Sequence, residues 1–86
     1  MTDRNIVPDR TQTGLRLDRH LLKVLKGLAE YMDMSLADLA EGILLHALEG
    51  KPAITDKETL DAIQQLRQVY GLQLTSADSH QHPDID

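Results

Sequence analysis

The sequence predicts a mainly α fold in which one short strand and three helices follow one another, with the strand pairing across a homodimer. Residues 12–18 alternate between apolar and polar side chains, which is typical of a strand. Residues 19–50 carry two stretches of apolar residues at helical spacing, and residues 55–71 carry a third. A chain of 86 residues without cysteine struggles to bury enough apolar surface alone, so assembly with a second copy is expected.

The predicted strand needs a partner, because an isolated strand leaves its backbone hydrogen-bonding groups unpaired. No convincing second strand is evident elsewhere in the chain, and the simplest partner is the same strand of a second copy. Two such strands form an antiparallel ribbon, a shape that fits the major groove of DNA. The buried face of the ribbon would be Thr13, Leu15 and Leu17, and the polar face Gln12, Gly14 and Arg16.

The first helix is expected from about Arg19 to Met32. Asp18 precedes it and is a good N-cap, because its carboxylate can accept hydrogen bonds from the free N–H groups of the first turn. Gly27 lowers the helix propensity in the middle of this segment, and Asp33 suits the turn that follows it. The apolar face consists of Leu21, Leu22, Leu25, Leu28, Ala29 and Met32.

The second helix is expected to begin after Ser35, which forms a capping box with Asp38, and to end at Gly50. Its apolar stripe is broad, and one strand and one helix cannot cover that much surface. We therefore expect a second copy of the chain to cover the remainder. The stripe consists of Leu36, Leu39, Ala40, Ile43, Leu44, Ala47 and Leu48, with Leu45 beside it.

The third helix is expected from a capping box that begins at Thr55 to about Tyr70, with Gly71 as its stop. An isolated helix of this length is marginally stable in water, so its apolar face should pack on the dimer or on a partner. That face consists of Leu60, Ile63, Leu66 and Tyr70.

These elements divide the chain into four segments. Residues 1–11 should form a flexible arm, residues 12–50 the dimerisation and DNA-binding domain, and residues 51–71 the C-terminal helix. Residues 72–86 form an acidic tail that we expect to be mobile or to order on a partner. There is no signal peptide and no apolar run long enough to cross a membrane, so we expect a cytoplasmic protein.

Charge is distributed unevenly along the chain, whose net charge is −5. Residues 1–34 hold six Lys or Arg against five Asp or Glu, whereas residues 35–86 hold three against nine. Any contact with DNA should therefore lie in the first part, because the acidic second part repels phosphates. The second part suits a protein partner.

Residues 13–48 resemble the ribbon-helix-helix family of dimeric bacterial DNA-binding proteins. The resemblance lies in a short alternating strand that ends in Arg16-Leu17-Asp18, then a helix, a turn, Ser35 and an apolar-striped helix. It implies an intertwined homodimer whose paired strands enter the major groove of double-stranded DNA. It also implies that the start of the second helix grips a phosphate.

The resemblance implies roles for particular residues. The base-facing positions would be Gln12, Gly14 and Arg16, and the phosphate grip would be Ser35 together with the backbone N–H of Leu36. Arginine can bind guanine through two hydrogen bonds, glutamine can bind adenine in the same way, and helix N-termini favour phosphate. We add Arg10 and Lys23 as contacts to phosphate.

Two functions are compatible with these features. The first is a dimeric, sequence-specific transcriptional regulator, including the form of an antitoxin whose C-terminal region binds a toxin. The alternative is a dimer with the same fold that does not bind DNA and acts as a protein-interaction module. Gly14, which offers no side chain for base contacts, and the acids Asp38 and Glu41 favour the alternative; Arg16 and the basic first part favour the regulator.

No enzymatic activity, cofactor or metal is expected. The chain contains no cysteine nucleophile, no glycine-rich phosphate loop, and no carboxylate pair in a plausible pocket. His80 and His82 could share a metal, but the tail offers no third ligand.

Overall fold

The computed structural model describes residues 6–80, which form three α-helices and one short 3₁₀ helix. α1 spans Arg19–Tyr31, α2 spans Leu36–Leu48, α3 spans Lys57–Tyr70, and the 3₁₀ helix spans Ser76–His80. The mainly α architecture is therefore confirmed. Residues 6–18 contain no strand in the single chain, and none of the helices within residues 6–80 has the length and hydropathy to cross a membrane.

The two chain ends are described only in part. Residues 1–5 of the predicted arm and residues 81–86 of the predicted tail, including His82, lie outside the described residues. In the remainder of the tail, residues 72–75 are irregular, and the 3₁₀ helix follows them. Leu72 is buried, which anchors the start of this segment on the helices.

Side-chain caps define the starts of the helices. The Asp18 carboxylate accepts hydrogen bonds from the N–H groups of His20 and Leu21 at 2.9 and 3.0 Å, as predicted. Ser35 Oγ accepts the N–H of Asp38 at 3.0 Å, also as predicted. The Asp38 carboxylate does not complete the expected capping box. It accepts a hydrogen bond from Arg10 Nη2 instead.

The predicted cap of α3 at Thr55 is wrong by one residue. Asp56 is the N-cap, and its carboxylate accepts the N–H of Thr59 at 2.9 Å. Both residues can cap a helix, but Asp is the stronger cap of the two. The end of α3 is as predicted, because Gly71 adopts the left-handed conformation, with φ 69°.

The turn between α1 and α2 requires a left-handed residue, and Asp33 supplies it with φ 59°. Short polar side chains tolerate this conformation better than other residues with a Cβ atom. The turn is closed by hydrogen bonds from the N–H of Asp33 to Glu30 and from the N–H of Met34 to Ala29. The left-handed Gly50, φ 71°, ends α2 in a similar way and confirms the predicted stop.

The core is centred on α1, which packs against both other helices. Leu28 and Ala29 of α1 form a buried cluster with Leu39 of α2. Val24 is also buried. All of these side chains are aliphatic, as expected for a chain without Phe or Trp. Partly buried side chains that pack against the cluster come from α1, α2, the α2–α3 connection and α3: Leu25, Ile43, Ile54, Ile63 and Leu66.

α3 packs on α1 of the same chain. Ile63 and Leu66 reach the core as predicted. Leu60, expected on the same face, is 42% exposed, and Thr59 is buried in its place. Positions 59, 63 and 66 lie at helical spacing on one side of α3, so the face directed at α1 is turned by one residue from the expected one.

Gly27 permits the close approach of α3 to α1. A Cβ atom built on Gly27 would lie 2.8 Å from Leu66 Cδ2 and 3.5 Å from Tyr70 Cε2. The first distance is shorter than carbon atoms tolerate without movement of one of them. The residue that weakens α1 by its low helix propensity therefore makes room for the packing of α3.

A pair of glycine substitutions tests this packing. Gly42 lies inside α2 and a Cβ atom there would meet no heavy atom within 4 Å. We expect Gly42→Ala to stabilise the protein by about 0.5–1 kcal/mol, through helix propensity. Gly27→Ala should stabilise the protein less than Gly42→Ala, because the end of the Leu66 side chain must move to admit the new methyl group. Urea unfolding of both variants measures the difference, and equal stabilisation by the two would contradict the close approach of Leu66.

Candidate nucleic-acid interface

The segment before α1 carries the predicted ribbon residues, and its apolar side chains are uncovered. Leu15 is 69% exposed, and Leu17 is also exposed. A leucine in contact with water gains nothing from the hydrophobic effect. In the single chain, the predicted core face of the strand therefore has no core to join.

The second half of the α2 stripe is uncovered as well. Leu39 is buried and Ile43 is half-buried, but Leu44, Leu45 and Leu48 are exposed, Leu48 to 84%. α1 and α3 thus cover only the beginning of the stripe. Within the described residues, one chain leaves the second half of the α2 stripe exposed, and its coverage by a second copy stays a prediction.

The predicted DNA-binding residues fall into three groups. Arg10 and Gln12 line a shallow groove together with Ala37 in the first turn of α2. Ser35 and Leu36 begin that same helix, so these predicted sites lie close together. Ser35 Oγ is engaged as the helix cap.

Arg16 belongs to the second group and lies in a different groove. This open groove, of about 650 Å³, is lined on one side by residues 16–18 and Leu21 and on the other by Arg67, Leu72 and the residues that follow. Arg67 holds the second wall in place by donating a hydrogen bond to the Leu74 carbonyl at 2.9 Å. The structure of the single chain therefore does not bring Arg16 beside Gln12.

Gly14 and Lys23 complete the predicted site. A Cβ atom at Gly14 would meet no heavy atom within 4 Å, so that position is open. Lys23 is exposed on α1. Within the part of the chain that the structure describes, Lys23 makes no hydrogen bond or ion pair through its side chain.

Arg10 makes the most specific polar contact of this surface. Its Nη2 atom lies 2.8 Å from Glu41 Oε1 and 3.4 Å from Asp38 Oδ1, and its Nε atom lies 3.1 Å from Glu41 Oε2. The hydrogen bonds and positive charge of Arg10 lower the pKa of Glu41, and Glu41 raises the pKa of Arg10. Sequence patterns gave no sign of this pair, because its members are separated by 31 positions.

The exposed cations differ sharply in whether they have acidic partners. Lys51 pairs with Glu49 and Lys57 pairs with Asp61, as Arg10 does with Glu41. Among residues 6–80, four Lys or Arg side chains make neither an ion pair nor a hydrogen bond to a carbonyl. All four lie within residues 16–26. They are Arg16, Arg19, Lys23 and Lys26.

The Asp18 cap makes the start of α1 sensitive to acid. The Leu21 and His20 N–H groups hold the pKa of Asp18 below its ordinary value. A lowered folded-state pKa means stability that is present above the unfolded pKa of about 4 and lost as the pH falls through the folded value. We expect the Leu21 amide resonance to titrate below about pH 4, and Asp18→Asn to abolish that titration while retaining the cap. A midpoint at or above the value of an unfolded aspartate would contradict this.

No group of three or more His, Asp or Glu side chains within residues 6–80 is arranged to hold a metal ion. Within residues 6–80, exposed cations lie next to the uncovered apolar segment before α1. Comparison of the chain with protein-family models, with curated proteins and with solved structures finds no match, so its function must be inferred from these residues themselves.

Proposed function

We propose that the chain forms a homodimer of the ribbon-helix-helix kind and binds double-stranded DNA as a transcriptional regulator. The observation that carries the proposal is a group of cations within residues 16–26, next to the predicted ribbon, that make no ion pair with an acid among residues 6–80. This stretch holds four Lys or Arg and a single acid, Asp18, in a chain of net charge −5. The Asp18 carboxylate is engaged with the first turn of α1.

The dimer is supported by two uncovered apolar surfaces. Leu15 and Leu17 would form the floor of the ribbon, and the exposed part of the α2 stripe would pack against the partner copy. Pairing residues 12–18 with the same residues of the second chain would also satisfy their backbone hydrogen-bonding groups. One association thus removes both the unpaired backbone and the exposed leucines.

The acidic residues at the start of α2 are compatible with phosphate nearby. Asp38 and Glu41 would repel DNA if they were free. Arg10 lies against both carboxylates and offsets part of their charge. The N-terminus of α2 can then act through its backbone N–H groups and its partial positive charge.

The same dimer without DNA binding is the second candidate. It is favoured by Gly14, which presents no side chain at the middle reading position, and by the acidity of residues 35–86. In that case, or in an antitoxin that also binds DNA, the acidic C-terminal region would bind a protein partner. The two candidates share the dimer and differ in the role of Arg16.

An electrophoretic mobility shift separates the candidates. The chain's own promoter DNA and a scrambled duplex of equal length are titrated at low and at physiological salt. A regulator should retain the promoter complex at physiological salt and lose the scrambled one, because non-specific binding depends mainly on phosphate contacts. The absence of any complex at low salt would overturn DNA binding and favour the protein-interaction module.

A further inference from the structure

Within residues 6–80, Arg10 makes the side-chain hydrogen bonds that connect the segment before α1 to the helices. Among residues 6–80, the hydrogen bonds from residues 6–17 to the helices all come from Arg10. Two of its nitrogen atoms, Nε and Nη2, are directed at the Glu41 carboxylate. A planar guanidinium held in this way by a carboxylate has little freedom to rotate.

The residues around Arg10 also lie beside α2. Pro8 to Thr13 line one side of the shallow groove, and Ala37 and Glu41 line the other. Gln12, a predicted base-reading residue, therefore lies two positions from the anchor and faces the first turns of α2. Loss of the Arg10–Glu41 pair should therefore move residues 8–13 relative to α2.

We propose that Arg10 is a positioning residue, which holds residues 8–13 against α2 and compensates Asp38 and Glu41, rather than a residue that contacts phosphate. A phosphate approaching Arg10 would meet the Asp38 and Glu41 carboxylates beside it, and their negative charge would repel it. The consequence for DNA rests on the proposed function. The anchoring itself is a property of the free protein.

Arg10 should fix the position of residues 8–13 and contribute little to the free energy of unfolding. The Arg10 and Glu41 side chains are about half exposed, and exposed ion pairs contribute little to folding. We therefore expect Arg10→Ala to leave the urea midpoint of unfolding unchanged while releasing the segment. This separates anchoring from a general loss of structure.

A spin label provides the test, because the chain has no cysteine and a single Thr11→Cys takes one nitroxide. In the free full-length protein, the label should broaden the amide resonances of Ala37 to Glu41. Adding Arg10→Ala or Glu41→Gln should remove this broadening. The exchanged pair Arg10→Glu with Glu41→Arg should restore it, since the ion pair is rebuilt in the opposite sense.

Lys51→Ala is the matched control, because it removes one positive charge and one exposed ion pair at the other end of α2. It should leave the broadening unchanged. Persistence of the broadening in both Arg10→Ala and Glu41→Gln would overturn the anchoring role. Since no DNA is present, that outcome leaves the proposed function intact, whereas a failed mobility shift overturns the function and leaves the anchor.

Discussion

Replacing Leu15 by aspartate should abolish the dimer and its cooperative unfolding. In the single chain Leu15 is 69% exposed, so the substitution would cost almost nothing if the chain acted as a monomer. In the proposed ribbon the same side chain lies in the core, where an unpaired carboxylate is strongly destabilising. Sedimentation equilibrium and thermal unfolding of Leu15→Asp at micromolar concentration therefore distinguish the two states directly.

Val69→Asp provides the comparison for this experiment. Val69 is 73% exposed on α3, and the substitution introduces the same charge outside the proposed dimer surfaces. It should leave the sedimentation and the unfolding curve unchanged. A Leu15→Asp protein that remains folded and sediments like the parent would show that no ribbon forms.

Replacing Arg16 by alanine should have the largest effect on DNA recognition. A side chain that reads a base through two hydrogen bonds discriminates by about 1–3 kcal/mol. Arg16→Ala should therefore weaken binding to the promoter by about that amount and relax specificity at one base pair in each half-site. Affinity for the promoter and for single-base variants, measured at one salt concentration, gives both quantities.

Two further substitutions distinguish a loss of base reading at Arg16 from a loss of positive charge. Lys23→Ala should weaken binding on every sequence and reduce the salt dependence by about one phosphate contact. Lys57→Ala removes the same charge from α3, where it pairs with Asp61, and should have little effect. If Arg16→Ala binds its promoter as tightly and as selectively as the parent, base reading by the ribbon is refuted and the protein-interaction module is preferred.

The helices could be predicted because the signals that define them are local. Asp18 and Ser35 each lie within three residues of the N–H groups they accept. Gly50 and Gly71 mark helix ends by their own conformation. The N-cap, the terminating glycine and the spacing of apolar residues all lie within the length of one helix. The sequence therefore predicts the ends of α1 and α2 to within a residue or two.

The remaining features depend on contacts between distant parts of the chain. The pair of Arg10 and Glu41 has no periodicity that would reveal it. Thr59 is buried and Leu60 is exposed, and an apolar stripe read along α3 alone does not show which side of the helix the rest of the chain covers. The proposed ribbon would need a second chain, and in the single chain Leu15 and Leu17 of that segment are exposed.

The exposed end of the α2 stripe has a consequence for the abundance of the protein in the cell. Chaperones and proteases act on exposed leucines such as Leu44, Leu45 and Leu48. If the chain dimerises as proposed, a newly made copy would expose these residues until it meets another, and a higher concentration would shorten that interval. In the proposed dimer, the survival of a newly made chain would therefore depend on the concentration of the copies that it can meet.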